Sequence, residues 1–213
     1  MSSGNRLNSP KQCDGSPMNT GASRTELRIA GLGGQGIVIQ GRILATAAIY
    51  DGKEATQVET YGMQQRGGDV RSDVVISGEE IDYPEVTKAN VLIAMAQQAF
   101  VRHRGCLRPG GILVIDSSHV DRSKVDYDAS HVCAIPASQI AEKELGNPLV
   151  TSVLMLGALT GLTGLLSKTS MERAITESVP TKVQELNLRA FRRGLEEGTK
   201  AQISLTSFHG ASA

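Results

Sequence analysis

Residues 27–36 join a short apolar run to a glycine-rich turn, and this junction constrains the fold more than any other feature. The apolar run of residues 27–30 leads into Gly31-Leu32-Gly33-Gly34-Gln35-Gly36, and a helical pattern covers residues 35–50. Glycines between a strand and a helix allow a sharp turn and let backbone N–H groups approach a phosphate. The junction therefore predicts either a dinucleotide-binding turn or a tight strand–helix contact.

Strand and helix patterns alternate along the first two thirds of the chain. Further apolar runs lie at residues 55–60, 91–96 and 112–115, and the pattern after Pro136 is helical. Residues 70–77 show the period of a half-exposed strand that pairs antiparallel, at an edge or in a hairpin. We predict an α/β, Rossmann-like fold with a mostly parallel sheet flanked by helices, and a helical C-terminal third.

The length of 213 residues fits one domain. Residues 1–24 are rich in Ser, Gly, Asn and Pro and lack the apolar run of a signal peptide, so we predict a disordered extension there. The domain is predicted over residues 25–198, followed by a flexible tail over residues 199–213. Glycines in the apolar stretch of residues 150–166 predict close approach of another backbone, within the subunit or at a subunit interface: Gly157, Gly161 and Gly164.

Composition argues against several classes of function. Lys and Arg total 22 and balance 22 Asp and Glu, so no net charge favours nucleic acid or an anionic membrane. The most apolar stretch is too short to span a bilayer. The three cysteines have neither metal-site nor disulfide spacing, which indicates a cytoplasmic protein with reduced thiols. The four histidines lack metal-ligand spacing and are expected in loops or at the surface.

The segment that follows the second strand is the most distinctive in the chain. Tyr61-Gly62 is followed by Arg66 and then directly by Gly67-Gly68. A glycine pair beside an arginine makes a loop that can present a guanidinium to a phosphate or a carboxylate, although a solvated turn has the same composition. Glu59 lies roughly where a dinucleotide fold places its ribose-binding acid. The residues alone therefore keep a stand-alone NAD-binding Rossmann dehydrogenase as an alternative.

The motifs, taken in order, resemble the gamma subunits or gamma domains of 2-oxoacid:acceptor oxidoreductases. The resemblance spans residues 27–198 and depends on these motifs: Gly33-Gly34-Gln35-Gly36, Tyr61-Gly62, Arg66-Gly67-Gly68, the strand of residues 72–77, and Pro180, Asn187, Ala190 and Gly194. Met63 stands where many such subunits carry proline. With that departure, the loop has features of both the 2-oxoglutarate-like and the aryl-oxoacid branches, such as phenylglyoxylate enzymes.

The resemblance implies a subunit of a complex that oxidatively decarboxylates a 2-oxoacid with CoA, giving an acyl-CoA and CO2. The complex would use thiamine diphosphate, Mg²⁺ and [4Fe-4S] clusters, and would reduce ferredoxin or NAD. The expected partners are alpha, beta and ferredoxin-like delta subunits, with a flavoprotein subunit where NAD is the acceptor. This chain alone is expected to bind none of those cofactors, because it lacks a Gly-Asp-Gly motif and a cysteine cluster.

By the same resemblance, the gamma subunit closes over the active site and helps to accommodate CoA. The residues expected to do so lie in the two loops: Gly33, Gly34, Gln35, Gly36, Tyr61, Gly62, Arg66, Gly67 and Gly68. Arg66 is expected to face an anionic group. No catalytic acid, base or nucleophile is predicted in this chain, and no metal ligand. A purely structural subunit that binds no ligand is the third interpretation.

Overall fold

The computed structural model describes residues 24–62, 67–125 and 132–210, and it leaves the side chains of residues 203–210 undescribed. Within these ranges the chain forms a sheet with helices on both faces. The strands are β1 (Thr25–Leu32), β2 (Glu54–Tyr61), β3 (Asp69–Ser77), β4 (Ala89–Ala94), β5 (Leu107–Asp116) and β6 (Val132–Ile135). The helices are α1 (Ile37–Tyr50), α2 (Gln97–His103), α3 (Ala137–Lys143), α4 (Thr151–Thr163), α5 (Lys168–Ser178) and α6 (Gln184–Gly210).

The strand order is β2-β3-β1-β4-β5-β6, and β3 alone runs against its neighbours. Strands β1, β4, β5 and β6 pair in parallel, which confirms the predicted α/β fold with a mostly parallel sheet. The antiparallel direction of β3 and its hairpin with β2 are also confirmed. The predicted half-exposure of β3 is wrong, since seven of its nine residues are buried. Strand β3 lies inside the sheet, between β1 and β2, and β2 takes the edge instead.

The main core lies on the face of the sheet that carries α1, α4, α5 and α6. Helix α1 contributes an apolar stripe that includes Ile43, Leu44 and Ala47, whose spacing places them on one helical face. Strand β4 is buried along its whole length, as expected of a parallel strand covered on both faces. A smaller core on the opposite face packs Phe100 of α2 against Leu92 and Leu113. Both cores hold β1 and β4 in the middle of the sheet.

Helices α4 and α6 pack backbone against backbone through four glycines. A Cβ on Gly157 would lie 2.0 Å from the carbonyl oxygen of Phe191, and one on Gly194 would lie 1.9 Å from that of Leu154. Gly161 and Gly198 repeat the contact one turn further along each helix. Gly157 and Gly161 therefore serve packing within the subunit. Gly164 has a different role, because it ends α4 in the left-handed conformation with φ of 61°.

Two local features differ from a simple interpretation of the sequence. The Pro109-Gly110-Gly111 segment, whose composition is typical of a turn, is a bulge within β5, where the pairing with β4 shifts between Ala89 and Val91. Helix α6 continues to Gly210, past the domain boundary predicted at residue 198, and that boundary stays a prediction. In the part of the chain that the structure describes, no helix has the length and apolar character needed to cross a bilayer.

The close contact between α4 and α6 predicts that one added methyl group lowers the stability of the fold substantially. We expect Gly157→Ala to lower the free energy of unfolding by about 3 kcal/mol, because the methyl would collide with a backbone oxygen that cannot rotate away. The midpoint temperature should fall by about 2–4 °C per kcal/mol in a domain of this size. Thermal and denaturant unfolding measure the change. Gly105→Ala is the control, since its Cβ would meet no atom within 4 Å; equal stability of the two variants would contradict the packing account.

Candidate functional site

The last residues of β1 and β2 and the first residues of β3 lie together at one end of the strands, because β3 runs opposite to β1 and β2. Leu32, the last residue of β1, is paired with Asp69, the first residue of β3, and Tyr61 at the end of β2 is paired with Val70. The backbone N–H of Gly33 donates to the carbonyl oxygen of Gly68 at 3.0 Å. The two glycine-rich segments singled out in the sequence are therefore in direct contact, although Gly33 and Gly68 are 35 residues apart in the chain.

These two segments form the walls of an open groove of about 840 Å³. This volume lies within the range of roughly 300–1,000 Å³ that is typical of small-molecule sites. Seven of the predicted binding residues line it: Gly33, Gly34, Gly36, Tyr61, Gly62, Gly67 and Gly68. Apolar side chains from β1, α1 and β3 complete much of the lining, namely Leu32, Ile37, Val38, Ile39 and Val70. Arg66, the predicted anion contact, lies outside the described residues.

Gln35 faces away from this groove and fixes the turn instead. Its Oε1 accepts a hydrogen bond from the backbone N–H of Leu32 at 2.7 Å, and its Nε2 donates to the carbonyl oxygen of Met95 at 3.0 Å. The amide therefore joins the turn after β1 to the end of β4. Gln35 lines a smaller neighbouring cavity together with Gly34, Met95 and Ser138.

The glycines of the turn serve two different purposes. Gly36 precedes α1 in the left-handed conformation with φ of 72°, and a Cβ there would lie 2.8 Å from Cβ of Ser152 in α4. Gly34 also has a positive φ, of 96°, but a Cβ there would meet no atom within 4 Å. Gly36 thus permits tight packing, whereas Gly33 and Gly34 leave backbone exposed along the groove. The tight-packing interpretation therefore holds at Gly36, and ligand binding by the exposed backbone of Gly33 and Gly34 stays a prediction.

Two polar side chains give the groove its chemistry, and the sequence interpretation missed one of them. Tyr61 is 63% exposed and donates a hydrogen bond to Oε2 of Glu59 at 2.9 Å. That bond raises the pKa of the phenol above its usual value, so the hydroxyl stays protonated. Arg42 of α1 also lines the groove. It lies four residues after Val38 on the same helical stripe, a spacing that could have indicated it in the sequence.

A charged network supports the base of the loop from the other face of the sheet. Arg28 and Asp73 form a buried bidentate ion pair at 2.7 Å, and Nε2 of His103 lies 3.0 Å from Oδ2 of Asp69. His103 is only 7% exposed, so its expected place in a loop or at the surface is wrong. The carboxylate of Asp69 explains the burial, because it supplies the polar partner that an imidazole needs in the interior. Asp69 thus anchors the start of β3 to α2 on this face of the sheet.

Two acidic residues near the ends of strands, Asp116 and Glu59, have partners within the described structure. Asp116, fully buried at the end of β5, accepts a short hydrogen bond from Oγ of Ser138 and so fixes the start of α3. Glu59 lies on β2, and the whole width of β3 separates that strand from β1. Neighbouring strands are about 4.8 Å apart, so β2 lies roughly 10 Å from β1, about 5 Å further than a directly paired strand would. This placement disfavours a ribose contact of the dinucleotide type.

Metal ligation has no obvious location in the part of the chain that is described. No group of three or more His, Cys, Asp or Glu side chains there could hold a metal ion. Of the cysteines in this part, Cys133 is buried and Cys106 is half-buried, and burial raises the pKa of both thiols, that of Cys133 to about 12. Neither thiol is activated as a nucleophile.

The comparisons with known proteins agree with the architecture. Residues 26–197 match the family model described as pyruvate ferredoxin/flavodoxin oxidoreductase. The chain belongs to this family. Among its relatives, the 2-oxoglutarate synthase subunit KorC of Methanocaldococcus jannaschii is 44% identical over 174 residues, which cover 81% of this chain and 93% of the relative.

Solved structures of the oxidoreductase family show the same fold. The gamma subunit of a keto/oxoacid ferredoxin oxidoreductase from Geobacter sulfurreducens is 36% identical, with a TM-score of 0.73, and the match covers 83% of this chain and 99% of that one. A 2-oxoglutarate:ferredoxin oxidoreductase from Magnetococcus marinus, solved with 2-oxoglutarate, coenzyme A and succinyl-CoA bound, is 27% identical with a TM-score of 0.74. That match covers 83% of this chain and 31% of the longer one. The resemblance to gamma subunits is thereby confirmed.

The His103–Asp69 contact predicts a pH dependence of stability for this family member. Burial lowers the pKa of His103, and Asp69 offsets part of that effect. Because the unfolded histidine titrates near about 6.5, the unfolded chain binds the proton more readily. The stability that the neutral imidazole contributes is complete above about pH 6.5 and is lost as the pH falls through the lower folded pKa.

We therefore expect the free energy of unfolding to decrease as the pH falls below about 6.5, and to decrease less steeply in His103→Gln. Denaturant titrations at several pH values measure both slopes. His119→Gln is the matched control, since His119 is exposed. A wild-type slope retained in His103→Gln would show that the pH dependence arises elsewhere.

Proposed function

We propose that this chain is the gamma subunit of a multisubunit 2-oxoacid:acceptor oxidoreductase that uses thiamine diphosphate and iron–sulfur clusters. The complex would convert a 2-oxoacid, CoA and an oxidised acceptor to an acyl-CoA, CO2 and the reduced acceptor, either ferredoxin or NAD. Similarity to KorC favours 2-oxoglutarate over an aryl oxoacid such as phenylglyoxylate as the substrate. Alpha, beta and delta subunits would be its partners, and a flavoprotein subunit would be needed for NAD.

The redox cofactors do not fit this chain by itself. A [4Fe-4S] cluster takes four thiolates, and the whole sequence contains three cysteines. We therefore assign thiamine diphosphate, Mg²⁺ and the clusters to the partner subunits, where the electron transfer would occur. What this chain can supply is shape, backbone donors and charge at the edge of an active site.

The observation that carries the proposal is the groove shared by the two glycine-rich loops. Backbone N–H groups at the turn before α1 and a mostly apolar lining suit an elongated ligand with a polar end, as CoA is. The Magnetococcus marinus relative was solved with coenzyme A bound, which supports a CoA-binding complex here as well. In this proposal the groove closes over the partners' active site and holds part of CoA.

The alternative, a stand-alone NAD-binding dehydrogenase, has less support. Strand β3 lies between β1 and β2, so the acidic residue and the turn do not stand on neighbouring strands. The family assignment points in the same direction. A subunit that serves assembly alone would leave an open groove of this size without a ligand.

The proposal predicts that Gly33→Ala raises KM for CoA in the assembled complex by roughly tenfold. A Cβ at Gly33 would lie 3.6 Å from the backbone nitrogen of Gly67, an ordinary contact, so the fold should tolerate it. The methyl would nevertheless narrow the groove, and one misplaced methyl costs about 1–3 kcal/mol of fit. Steady-state kinetics at saturating 2-oxoacid measure the change, with Gly105→Ala in the same complex as the control. Wild-type CoA kinetics in Gly33→Ala would reject the proposed role of the groove.

Arg66 provides a second prediction, which comes from the sequence. Hydrogen bonds to a charged group contribute about 1.5–3 kcal/mol, so Arg66→Ala should weaken use of CoA or of the 2-oxoacid by roughly 10- to 100-fold. Arg66→Lys should restore only part of it, since a lysine lacks the planar fork. Size-exclusion chromatography on the same samples separates ligand contact from a subunit contact: a complex that dissociates indicates the interface, and an intact complex with unchanged kinetics contradicts both roles.

A further inference from the structure

The charge of the groove is concentrated in a single side chain. Among the described residues that line the groove, Arg42 alone carries a charge; the others are glycines, apolar side chains and the neutral phenol of Tyr61. An exposed guanidinium in such a lining gives the groove a positive potential. It therefore favours a ligand with an anionic group.

Arg42 also differs from the arginines on the opposite face in having no carboxylate partner in the described structure. Arg28 is held by Asp73 at 2.7 Å, Arg102 lies 3.5 Å from Asp69, and Arg71 lies 3.8 Å from Asp73. No ion pair or hydrogen bond joins the Arg42 side chain to any described residue, and the carboxylate of Glu59 accepts the hydroxyl of Tyr61. The guanidinium fork is thus available to a ligand.

Arg42 and the glycine turn at Gly36 lie at opposite ends of the groove. It lies six residues after Gly36, which is about 9 Å along the axis of α1 at 1.5 Å per residue. Val38 and Ile39 are half-buried between these ends, and the hydroxyl of Tyr61 is already directed to Glu59. The groove therefore runs from exposed backbone at the glycine turn, past apolar side chains, to a cation. A short 2-oxoacid is too small to span it.

We propose that Arg42 binds a phosphate group of CoA, while the pantetheine arm lies along Val38 and Ile39 and the thiol end points toward the glycine loops. This inference rests on the function proposed above and adds the residue that recognises the nucleotide end of the thiol substrate. A planar guanidinium suits a phosphate because two parallel N–H groups can bond two of its oxygens. Arg42 is a specificity-determining residue in this scheme and takes no part in the chemistry.

The test uses the assembled complex with Arg42→Gln and three thiol acceptors: CoA, dephospho-CoA and pantetheine. We expect KM for CoA to rise by about 10- to 100-fold with little change in kcat, as removal of one charged contact predicts. Pantetheine has no phosphate, so its KM should match the wild type. A rise for CoA alone assigns the 3′-phosphate, and an equal rise for dephospho-CoA assigns the diphosphate; both support the proposal.

Matched variants separate a ligand contact from general effects. Arg189→Gln removes the same charge from an exposed position on α6 outside the groove, and it should leave KM for CoA unchanged. Arg42→Lys should recover part of the affinity, because an ammonium keeps the charge without the fork. The proposal is overturned if KM for CoA in Arg42→Gln is unchanged, if KM for pantetheine rises equally, or if only KM for the 2-oxoacid rises.

The comparison with Gly33→Ala keeps this inference distinct from the proposed function. A raised KM for CoA in Gly33→Ala with wild-type kinetics in Arg42→Gln would mean that the groove holds CoA without Arg42, so that the inference alone fails. Unchanged CoA kinetics in both variants would reject the CoA role of the groove together with that of Arg42.

Discussion

The structure depends on the pairing of β3 between β1 and β2. A strand inserted there must run antiparallel to both neighbours to follow β2 through a short connection, and its first residue then lies beside the last residues of the other two. This direction brings the turn after β1 and the loop after β2 together at the same end of the strands. A parallel strand in that position would have placed the start of β3 at the opposite end of the strands, and the groove would lack one wall.

The groove is built mainly from backbone and apolar surface. Glycines supply much of its lining, and the side chains that could have been catalytic elsewhere are engaged in holding the frame: Gln35 ties the turn to β4, and Asp69 is held by His103. Such a surface can position a ligand, but it supplies no reactive side chain of its own among the described residues that line it. This division of labour agrees with an accessory subunit in an oxidoreductase complex.

The sequence predicted the parallel strands and the helices well, because continuous apolar runs and helical spacing report burial directly. It also identified both glycine-rich segments. It could not place β3 inside the sheet, since alternation looks the same whether the polar face meets solvent or buried partners such as Arg28 for Asp73. It missed Arg42 for a related reason: an exposed arginine on an amphipathic helix becomes distinctive only once the opposite wall of the groove is known.

The glycine contact between α4 and α6 affects the groove as well as the stability of the fold. Ser152, near the start of α4, lies against Gly36. Helix α4 therefore packs both against α6 and against the turn before α1. Close-packed interiors have low compressibility, so a displacement of one helix strains the helices packed against it. Helix α6 has 27 residues and is about 40 Å long at 1.5 Å per residue, and its glycine contacts connect it to that turn through α4. A displacement of α6 would therefore reach the turn that lines the groove through α4, without any direct contact between α6 and the groove.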